Sequence, residues 1–467
     1  MFQKCNRVLQ LKAYFAYLVK CYVLPVGDGA NTEGCLMSAD VLVTKPASGH
    51  WTDAYPELGR GPVSLEDCVS EAFYEKEREH VFKKTWLYVG RVERVPRSGS
   101  YFTRELKFLN TSIIIVRGKD DVIRAFHNIC PHRGNKMLWS DDPFEEVQGR
   151  APVLYCRFHG WRYNLDGSLH APTRKDLLLD FDAESCRVPA IQCEVWEGFI
   201  FINLDPHNSE PLRSYLGELA HGIEGYPFAG PHQVYRFKVE LQCNWKIFVD
   251  GFAESYHGPY LHASSFGALT AEARDAFDQP NPFTDALAYQ LKGPHRMFSF
   301  SGEPSQKTPY SKPIECVMEA SAAGPWTKRT DRGPMPAGLN PTRSEKYGFD
   351  SFQFFPNFVL IFGSSGFSTH THWPTGPHSH IFEVEMFYQP PKTHKERLGQ
   401  ELTVTFLNDI ILEDASPSEG LQAMLNSGAL THFTMNDEEI LLRHLHKVVG
   451  DYVEAGEKAH SISKAGR

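Results

Sequence analysis

The sequence predicts an α+β protein in which a small antiparallel β domain precedes a larger mixed domain. With 467 residues, the chain is longer than one ordinary domain and can bury two hydrophobic cores. Short runs of β-branched and aromatic residues are concentrated between residues 85 and 205. Further strand patterns follow, and two helical patterns, Lys395–Asp414 and Asn436–Val453, lie near the end of the sequence. These observations separate a strand-rich region from a region that mixes strands and helices.

The composition is that of a globular protein and excludes several classes of function. Apolar residues make up 42% and charged residues 22% of the chain, so it is neither disordered nor fibrous. A formal net charge of −9 without a long basic block argues against nucleic acid as the main partner. The ten cysteines are scattered without a dense spacing, which fits free thiols in a reducing cytoplasm.

Residues 1–48 differ from the rest of the chain and are predicted to be a poorly ordered extension. The apolar stretch Leu9–Leu24 is interrupted by Lys12 and Lys20, so it is a poor candidate for a membrane span. A secretory signal would need a longer uninterrupted apolar run. We therefore expect a cytoplasmic protein without a membrane span.

The remaining elements follow from hydrophobic periodicity and from turn signals. The first part is predicted to contain a helix at Pro62–Trp86 and strands at Thr111–Val116, Val122–Asn128, Val153–Tyr163 and Glu194–Leu204. The polar segment Ser140–Arg150 is predicted to be a surface loop. The later predictions are a helix at Leu212–Ile223, a strand at Val234–Leu241, one helical stretch from Asn244 towards His262, loops within Gly302–Pro341, and strands at Phe352–Phe362 and His380–Tyr388.

Two short motifs in the strand-rich region each combine one cysteine with one histidine. Cys130-Pro-His132 is followed, after 23 residues, by Cys156-Arg-Phe-His159. Two thiolates and two neutral imidazoles are the ligand set of a Rieske [2Fe–2S] cluster, with both cysteines on one iron and both histidines on the other. A structural zinc site is the alternative, but zinc fingers usually place their two cysteines together and their two histidines together. The sequence therefore favours an iron–sulfur cluster held by two loops.

A second group of candidate ligands occurs in Glu254-Ser-Tyr-His257-Gly-Pro-Tyr-Leu-His262. Two histidines and a distant carboxylate form the facial triad of non-haem Fe(II) oxygenases, which leaves positions open for O2 and substrate. Five residues rotate a regular helix by about 140°, so His257 and His262 would not share a face. Gly258 and Pro259 permit a distortion that lets both point inward. Two ordinary histidines near a helix end would give the same pattern.

Four later histidines form a competing cluster: His370, His372, His378 and His380. Alternate residues of a strand share a face, so each pair could chelate a metal ion. No carboxylate completes this set before Glu383, and a polar strand face explains it equally well. The first group is the preferred metal site.

Together, these motifs resemble those of the large (α) subunits of the Rieske non-haem iron oxygenases, the aromatic-ring-hydroxylating dioxygenase family. The cluster motif of the family matches at Cys130, His132, Cys156 and His159. Its mononuclear iron motif matches Asn244-Trp-Lys followed by Glu254-x2-His257-x4-His262, and its third-ligand helix resembles Glu413-Asp414-x4-Glu419-x2-Gln422. The resemblance covers roughly residues 50 to 455. One departure is Glu254, because the family usually has aspartate there.

The resemblance implies a small antiparallel β Rieske [2Fe–2S] domain plus a helix-grip (Bet v 1-like) catalytic domain, whose curved antiparallel sheet wraps around helices. We place the Rieske domain at residues 85–205 and the catalytic domain at residues 49–84 and 206–467. The resemblance also implies that His257, His262 and Asp414 hold a mononuclear Fe(II).

The cofactors and partners that the resemblance implies are those of a multi-component oxygenase. Electrons come from NAD(P)H through a reductase, with or without a ferredoxin, to the [2Fe–2S] cluster, and O2 is the co-substrate. The family assembles as a homotrimer, or as α3β3 with a small subunit, and electrons pass between neighbouring subunits. The catalytic role implied for Glu254 is to connect a cluster histidine of one subunit to His257 of the next subunit by hydrogen bonds.

The expected function is therefore hydroxylation, by mono-oxygenation or cis-dihydroxylation, of an apolar or aromatic substrate, as in aromatic hydrocarbon catabolism. The alternative is mono-oxygenation or oxidative demethylation of a quaternary amine, because family members with glutamate at the position of Glu254 include oxygenases that act on carnitine. A remote alternative is an electron carrier, against which the roughly 260 residues after the cluster domain argue. The pocket is expected to be apolar. Seven phenylalanines flank the iron motif or lie in later segments of the catalytic domain, and we expect most of them to be ordinary core and only a few to contact substrate: Phe248, Phe252, Phe266, Phe298, Phe300, Phe354 and Phe362.

Overall fold

The computed structural model describes residues 46, 49–142, 145–230, 232–254, 256–262, 265, 286–301, 335–344, 347–363 and 366–465. Nearly all of the predicted extension at residues 1–48, and most of the loops predicted within Gly302–Pro341, lie outside these residues. Among the helices that are described, none combines the length and the hydropathy needed to cross a lipid bilayer.

The helices and strands are numbered here in chain order. The helices of the described part are α1 (Glu66–Val69), α2 (Glu71–Glu77), α3 (Leu212–His221), α4 (Trp245–Asp250), α5 (Gly258–Leu261), α6 (His394–Leu425) and α7 (Ile440–Ala465). The strands are β1 (Val63–Ser64), β2 (Trp86–Arg91), β3 (Ser100–Leu106), β4 (Thr111–Arg117), β5 (Ile123–His127), β6 (Gln148–Arg150), β7 (Leu154–Tyr155), β8 (Arg162–Tyr163), β9 (Leu169–Ala171), β10 (Ala190–Trp196), β11 (Phe199–Asn203), β12 (Gln233–Leu241), β13 (Ala286–Lys292), β14 (His295–Ser301), β15 (Tyr347–Phe354), β16 (Phe358–Phe362), β17 (Gly366–Gly376), β18 (Ser379–Tyr388) and β19 (His432–Phe433).

The loop with Cys156 and His159 lies between β7 and β8 of a three-stranded antiparallel sheet, β7-β8-β9. The first large sheet carries the other loop, with Cys130 and His132, after β5. Its strands follow the order β2-β11-β10-β5-β4-β3-β6, and every pairing is antiparallel.

The interior strand β4 is a β-branched run that is buried on both faces. Ile113 and Ile115 belong to one hydrophobic core, whereas Ile114 and Val116 belong to a second core that includes both ligand cysteines. This strand therefore anchors the ligand loops to the body of the sheet.

The second large sheet is a curled antiparallel half-barrel with the strand order β12-β18-β17-β16-β15-β14-β13. Its convex face carries many aromatic residues where it contacts the first sheet: Phe352, Phe354, Phe358 and Phe362 pack with Trp196 and Phe199. Its concave face packs against α4, α6 and α7. The predicted fold class, a small antiparallel β domain plus a helix-grip domain, is confirmed.

Several predicted elements differ from the observed ones because turns interrupt them. The helix predicted at Pro62–Trp86 is two short helices and a π turn, followed by β2. The strands predicted at Glu194–Leu204 and Phe352–Phe362 are hairpins, β10–β11 and β15–β16. In the first hairpin Glu197 and Gly198 have positive φ values of 47° and 83°, which form a tight turn. The loop predicted at Ser140–Arg150 ends in the edge strand β6.

Candidate functional site

The two ligand loops share one backbone pattern. The carbonyl of Cys130 accepts a hydrogen bond from the N–H of Gly134 at 2.9 Å, and the carbonyl of Cys156 accepts one from Gly160 at 3.0 Å. In both loops the cysteine N–H donates to the carbonyl five residues later, at 2.8 and 2.9 Å. Gly134 and Gly160 have φ values of +75° and +77°, which residues with side chains rarely adopt. A glycine four residues after each cysteine therefore closes both loops.

The loops bring the predicted cluster histidines together at the surface. The rings of His132 and His159 meet edge to face, with centroids 4.7 Å apart. His132 also stacks on Trp161 at 4.5 Å, with an interplanar angle of 9°. Both histidines are partly exposed, and neither ring makes a hydrogen bond to the described residues. Burial, followed by the nearby His159 and Arg133, lowers the pKa of His132, which favours the neutral imidazole that binds iron.

The predicted cluster cysteines are buried below these histidines. Cys130 and Cys156 are 2% and 1% exposed and belong to one hydrophobic cluster. The Sγ atom of Cys130 lies 3.1 Å from the Oη atom of Tyr163. Burial raises the pKa of the Cys130 thiol, and the adjacent Cys156 thiol contributes in the same direction. Two adjacent buried thiolates need bound cations to stabilise them, so this donor set fits an iron–sulfur cluster.

The second predicted ligand set converges on one point. His257 Nε2 and His262 Nε2 are 3.1 Å apart, and Asp414 Oδ1 lies 3.5 Å from the first and 3.1 Å from the second. All three ligand atoms lie within 4.8 Å of one another. Burial disfavours charge on His257, but its bonds to Asp414 and Glu254 outweigh burial and raise its pKa to about 10. The site therefore favours positive charge, which a divalent cation supplies.

A carboxylate contacts the Nδ1 atom of each of the two histidines, on the side of the ring opposite the convergent Nε2 atom. Glu254 accepts hydrogen bonds from the Nδ1 atom and, at 3.1 Å, from the backbone N–H of His257. Glu413 Oε2 lies 3.0 Å from His262 Nδ1. Carboxylates that bind the outer nitrogen of a ligand histidine fix its tautomer and its orientation. Both Nε2 atoms are thereby directed at the same point.

A break in the helix makes this convergence possible. The helical stretch predicted from Asn244 towards His262 is two helices, α4 and α5. The short helix α5 begins directly after His257 and ends directly before His262, so the two histidines flank it. A single regular helix would have pointed them to different sides.

Helix α6 carries the third predicted ligand and also fixes the start of α4. Gln422 Oε1 accepts a hydrogen bond from the backbone N–H of Asn244 at 2.7 Å. One turn earlier, Glu419 Oε1 accepts one from the N–H of Gln242 at 3.1 Å. The resemblance places only Asp414 of this helix in the site, so the roles of Glu413, Glu419 and Gln422 were missed. Their spacing in the quoted helix motif was the available signal.

The competing histidine cluster does not form a convergent metal site. His378 Nε2 contacts the carbonyl of Val69 at 3.0 Å, and His380 Nδ1 contacts the carbonyl of Cys243 at 2.9 Å. His370 and His372 lie on the concave face of β17, packed against aromatic rings. Among the described residues, only two groups of three or more donors converge, and neither includes these histidines.

The other convergent group consists of Asp67, Cys68 and His446. Here both nitrogens of His446 already have carboxylate partners: Asp67 Oδ2 lies 2.7 Å from Nδ1, and Asp250 Oδ2 lies 3.1 Å from Nε2. Burial opposes a charge on His446, but the two carboxylates raise its pKa to about 10. This histidine is therefore an imidazolium ion that connects α1, α4 and α7.

The predicted pocket phenylalanines divide between the two faces of the sheet. Phe248 and Phe252 pack on Phe382 of the concave face, with centroid distances of 4.9 and 5.7 Å. Phe298 and Phe300 lie in the cluster under α7. Phe354 and Phe362 lie on the convex face in the aromatic core, as expected for most of these residues, and Phe266 lies outside the described residues.

Two family models match the chain in separate stretches. The Rieske [2Fe-2S] domain matches residues 85–181, and the catalytic domain of the ring hydroxylating alpha subunit matches residues 228–455. Each stretch contains one of the two sites described above. The cofactors that these domains imply are a Rieske [2Fe–2S] cluster and a mononuclear iron.

The curated relatives act on quaternary amines. The chain is 34% identical to the carnitine monooxygenase oxygenase subunit of Escherichia coli K12 over 189 residues, which are 40% of this chain and 48% of that protein. It is 30% identical to the chloroplastic choline monooxygenase of Beta vulgaris over 197 residues, which are 41% of this chain and 42% of that protein. The chain thus spans about half the length of the carnitine enzymes it matches.

Solved structures share the fold at lower identity. A quaternary ammonium Rieske monooxygenase with γ-butyrobetaine superposes with a TM-score of 0.63 at 20% identity, covering 85% of this chain and 97% of that chain. Naphthalene 1,2-dioxygenase with indole gives a TM-score of 0.63 at 19% identity, covering 89% and 95%. With both domains matched and both donor sets assembled in them, the chain belongs to the Rieske non-haem iron oxygenase large-subunit family.

Proposed function

We propose that this chain is the oxygenase component of a Rieske system that mono-oxygenates a quaternary ammonium compound. The observation that carries the proposal is the convergence of His257 Nε2, His262 Nε2 and Asp414 Oδ1 in the domain that matches the catalytic family model. Two histidines and one carboxylate are the ligands of an oxygenase iron that keeps open positions. A protein that only carries electrons would not need this mononuclear iron site in addition to its cluster.

In this proposal the two donor sets have separate tasks. Cys130, Cys156, His132 and His159 hold the [2Fe–2S] cluster, and His257, His262 and Asp414 hold Fe(II). When bound, the two metal groups supply electron transfer and the activation of O2. The chain itself orients the ligand imidazoles through Glu254 and Glu413.

The proposed assembly is a homotrimer, with or without a small subunit, that receives electrons from a reductase. The rings of His132 and His159 are partly exposed and have no hydrogen-bond partner in the described part of the chain. They can therefore donate to a carboxylate of a neighbouring subunit. Glu254, which already holds His257, is the proposed carboxylate and would connect the two metal centres.

The substrate class follows from the relatives and from Glu254. The curated relatives include monooxygenases of carnitine, choline and glycine betaine, and these support the quaternary amine alternative better than the aromatic substrate expected first. The likeness to naphthalene 1,2-dioxygenase concerns the fold alone. We therefore favour mono-oxygenation over aromatic cis-dihydroxylation.

Product analysis with 18O2 tests this function. The purified chain, supplied with a reductase, is incubated with an aromatic, a steroid and a quaternary-amine panel. We expect one labelled oxygen atom in the product of a quaternary amine, and none with Asp414→Ala, whose cluster stays intact. A cis-diol from an aromatic compound would contradict the substrate class. Wild-type protein with cluster iron only would contradict the oxygenase function itself.

A further inference from the structure

Arg296 on β14 is a buried cation without a hydrogen-bonded partner among the described residues. Its relative exposure is 2%, and its guanidinium group makes neither a hydrogen bond nor an ion pair within 4.0 Å to the described residues. A buried charge is strongly unfavourable unless it is paired and hydrogen-bonded. This side chain therefore requires an explanation.

The other buried arginines of the described part show what is usual in this protein. Arg91 pairs with Glu93 at 2.7 Å and donates to the carbonyl of Phe228 at 2.9 Å. Arg104 pairs with Glu383 at 2.6 Å. Arg443 donates to three backbone carbonyls, at 2.7, 2.9 and 3.5 Å. Arg296 is the exception among them.

The strand register places Arg296 on the concave face of the half-barrel. It lies directly opposite Gln353 of β15, and the next residues on the same face of β14 and β15 are Phe298 and Ser351, which are also paired. The Oε1 atom of Gln353 and the Oγ atom of Ser351 are buried and have no partner within the described ranges. Polar atoms without partners thus extend along this face, whereas native interiors contain few of them.

Two histidines of β17 extend this polar surface, and the strand register places His370 in the same row across the sheet as Arg296 and Gln353. Burial, His380, His370 and then Arg296 hold the pKa of His372 well below its ordinary value, which places Arg296 within electrostatic range of that ring. Burial lowers the pKa of His370 to about 3, while Asp414 acts in the opposite direction. Both rings are uncharged at neutral pH, and both nitrogens of His372 lack partners in the described part.

Asp250 is the carboxylate that offsets the charge of Arg296 at longer range. Burial lowers the pKa of Arg296 to about 10, and Asp250 acts in the opposite direction. Asp250 Oδ2, however, is engaged by His446 Nε2 at 3.1 Å, and no contact within 4.0 Å joins Asp250 to Arg296. The five donor N–H groups of the guanidinium therefore remain available to another acceptor.

We infer that Arg296 forms an anion subsite that binds the carboxylate of an ammonium carboxylate substrate. The inference rests on the proposed function and deepens it, because it selects betaine-type compounds over amino alcohols. The charges are complementary along the concave face. Asp414, Glu254 and Glu413 favour a cationic group at the iron end, and Arg296 favours a carboxylate at the other end, through the paired N–H groups that match its two oxygens.

Four probes of similar size separate the two charges. Glycine betaine has both the ammonium and the carboxylate, and choline has the ammonium with a hydroxyl group. 3,3-Dimethylbutanoate and 3,3-dimethylbutan-1-ol replace the ammonium nitrogen of each by carbon. Their dissociation constants are measured calorimetrically, without O2, on the iron-loaded wild type and on Arg296→Gln, Arg296→Lys and Arg91→Gln. Iron content and the cluster spectrum report that each variant is folded.

We expect the wild type to bind each carboxylate more tightly than the matching alcohol. Arg296→Gln should weaken both carboxylates roughly 10- to 100-fold and change the alcohols less than about threefold. Arg296→Lys should retain part of the preference, because it keeps the charge but loses the planar pair of donors. Arg91→Gln removes a buried arginine outside the concave face and should leave the preference unchanged.

The outcomes separate this inference from the proposed function. Equal losses for carboxylates and alcohols in Arg296→Gln, or no loss, would overturn the anion subsite and leave Arg296 as a structural counter-ion of Asp250. Wild-type protein that binds none of the probes would overturn it as well. If the carboxylate preference depends on Arg296 while ammonium and carbon compounds bind equally, the subsite stands and the quaternary-amine proposal fails.

Discussion

The two pairs of proposed ligand histidines are held in opposite ways. His132 and His159 are positioned by glycine turns and by ring stacking, and no described residue bonds their outer nitrogens. His257 and His262 are each held by a carboxylate, and their inner nitrogens meet a third. The first pair lies on loops of two different sheets, whereas the second pair flanks the short helix α5 and meets carboxylates of α6, which is distant in the sequence.

The difference concerns what each metal centre must do. A cluster that exchanges electrons with a partner benefits from imidazoles whose outer nitrogens reach the surface. An iron that binds O2 and substrate needs fixed imidazoles in a dry pocket, because small displacements of the ligands change the open positions. We therefore expect the iron site to depend on residues outside its ligand set much more than the cluster does.

The largest expected effect is the loss of one metal centre without the other. In Asp414→Ala, the mononuclear iron should be lost and turnover should fall to background, because the site keeps only two neutral ligands. The two cluster irons and the Rieske spectrum should remain, because that donor set lies in a separate core. Iron analysis with electron paramagnetic resonance checks this. Retention of full iron would move the third ligand away from Asp414.

The reciprocal change should leave the mononuclear iron in place. Cys156→Ser removes one of two protein ligands of a cluster iron, so the Rieske spectrum should disappear. The convergent atoms of His257, His262 and Asp414 are not part of that loop, and about one iron per chain should remain. A colourless wild type that contains zinc would instead show that the cysteine–histidine loops form a structural zinc site.

The two carboxylates behind the iron ligands should have intermediate and separable effects. Glu413→Gln should lower the iron affinity about 10-fold or more, because His262 loses its charged partner. Glu254→Gln should also slow oxidation of the reduced cluster in a single turnover, because the link between subunits is lost. Glu413→Gln, reloaded with iron, is the matched control. Equal transfer rates in both variants would remove Glu254 from the electron path.

The smallest effect on metal content is expected at His446, whose carboxylate partners use both of its nitrogens. His446→Gln should destabilise the fold by about 3 kcal/mol, because Asp67 and Asp250 lose a buried partner. The folded pKa of about 10 lies above the ordinary 6.5. The stabilisation is therefore complete below pH 6.5 and is lost as the pH rises towards 10. Unfolding midpoints measured against pH check this, and a variant with the wild-type profile would contradict it.

The sequence was informative where a site is local in the chain. Both cluster loops could be recognised because cysteine, histidine and the closing glycine lie within a few residues of one another. Glu413 was beyond such reasoning, because its contact with His262 joins residues 151 positions apart. The faces of the sheet on which Phe354 and Phe362 lie could not be determined for a related reason. A hairpin turn separates their strands, and only the register with neighbouring strands determines which side of the sheet each ring occupies.

The contacts of Gln422 and Glu419 with the start of α4 have a consequence for the evolution of this family. They join the two halves of the iron site directly, so its assembly does not depend on the length of chain between His262 and Glu413. That intervening sequence includes β14, β15 and β17, which line the concave face. Insertions and substitutions in these strands can therefore alter substrate specificity without changing the arrangement of the iron ligands.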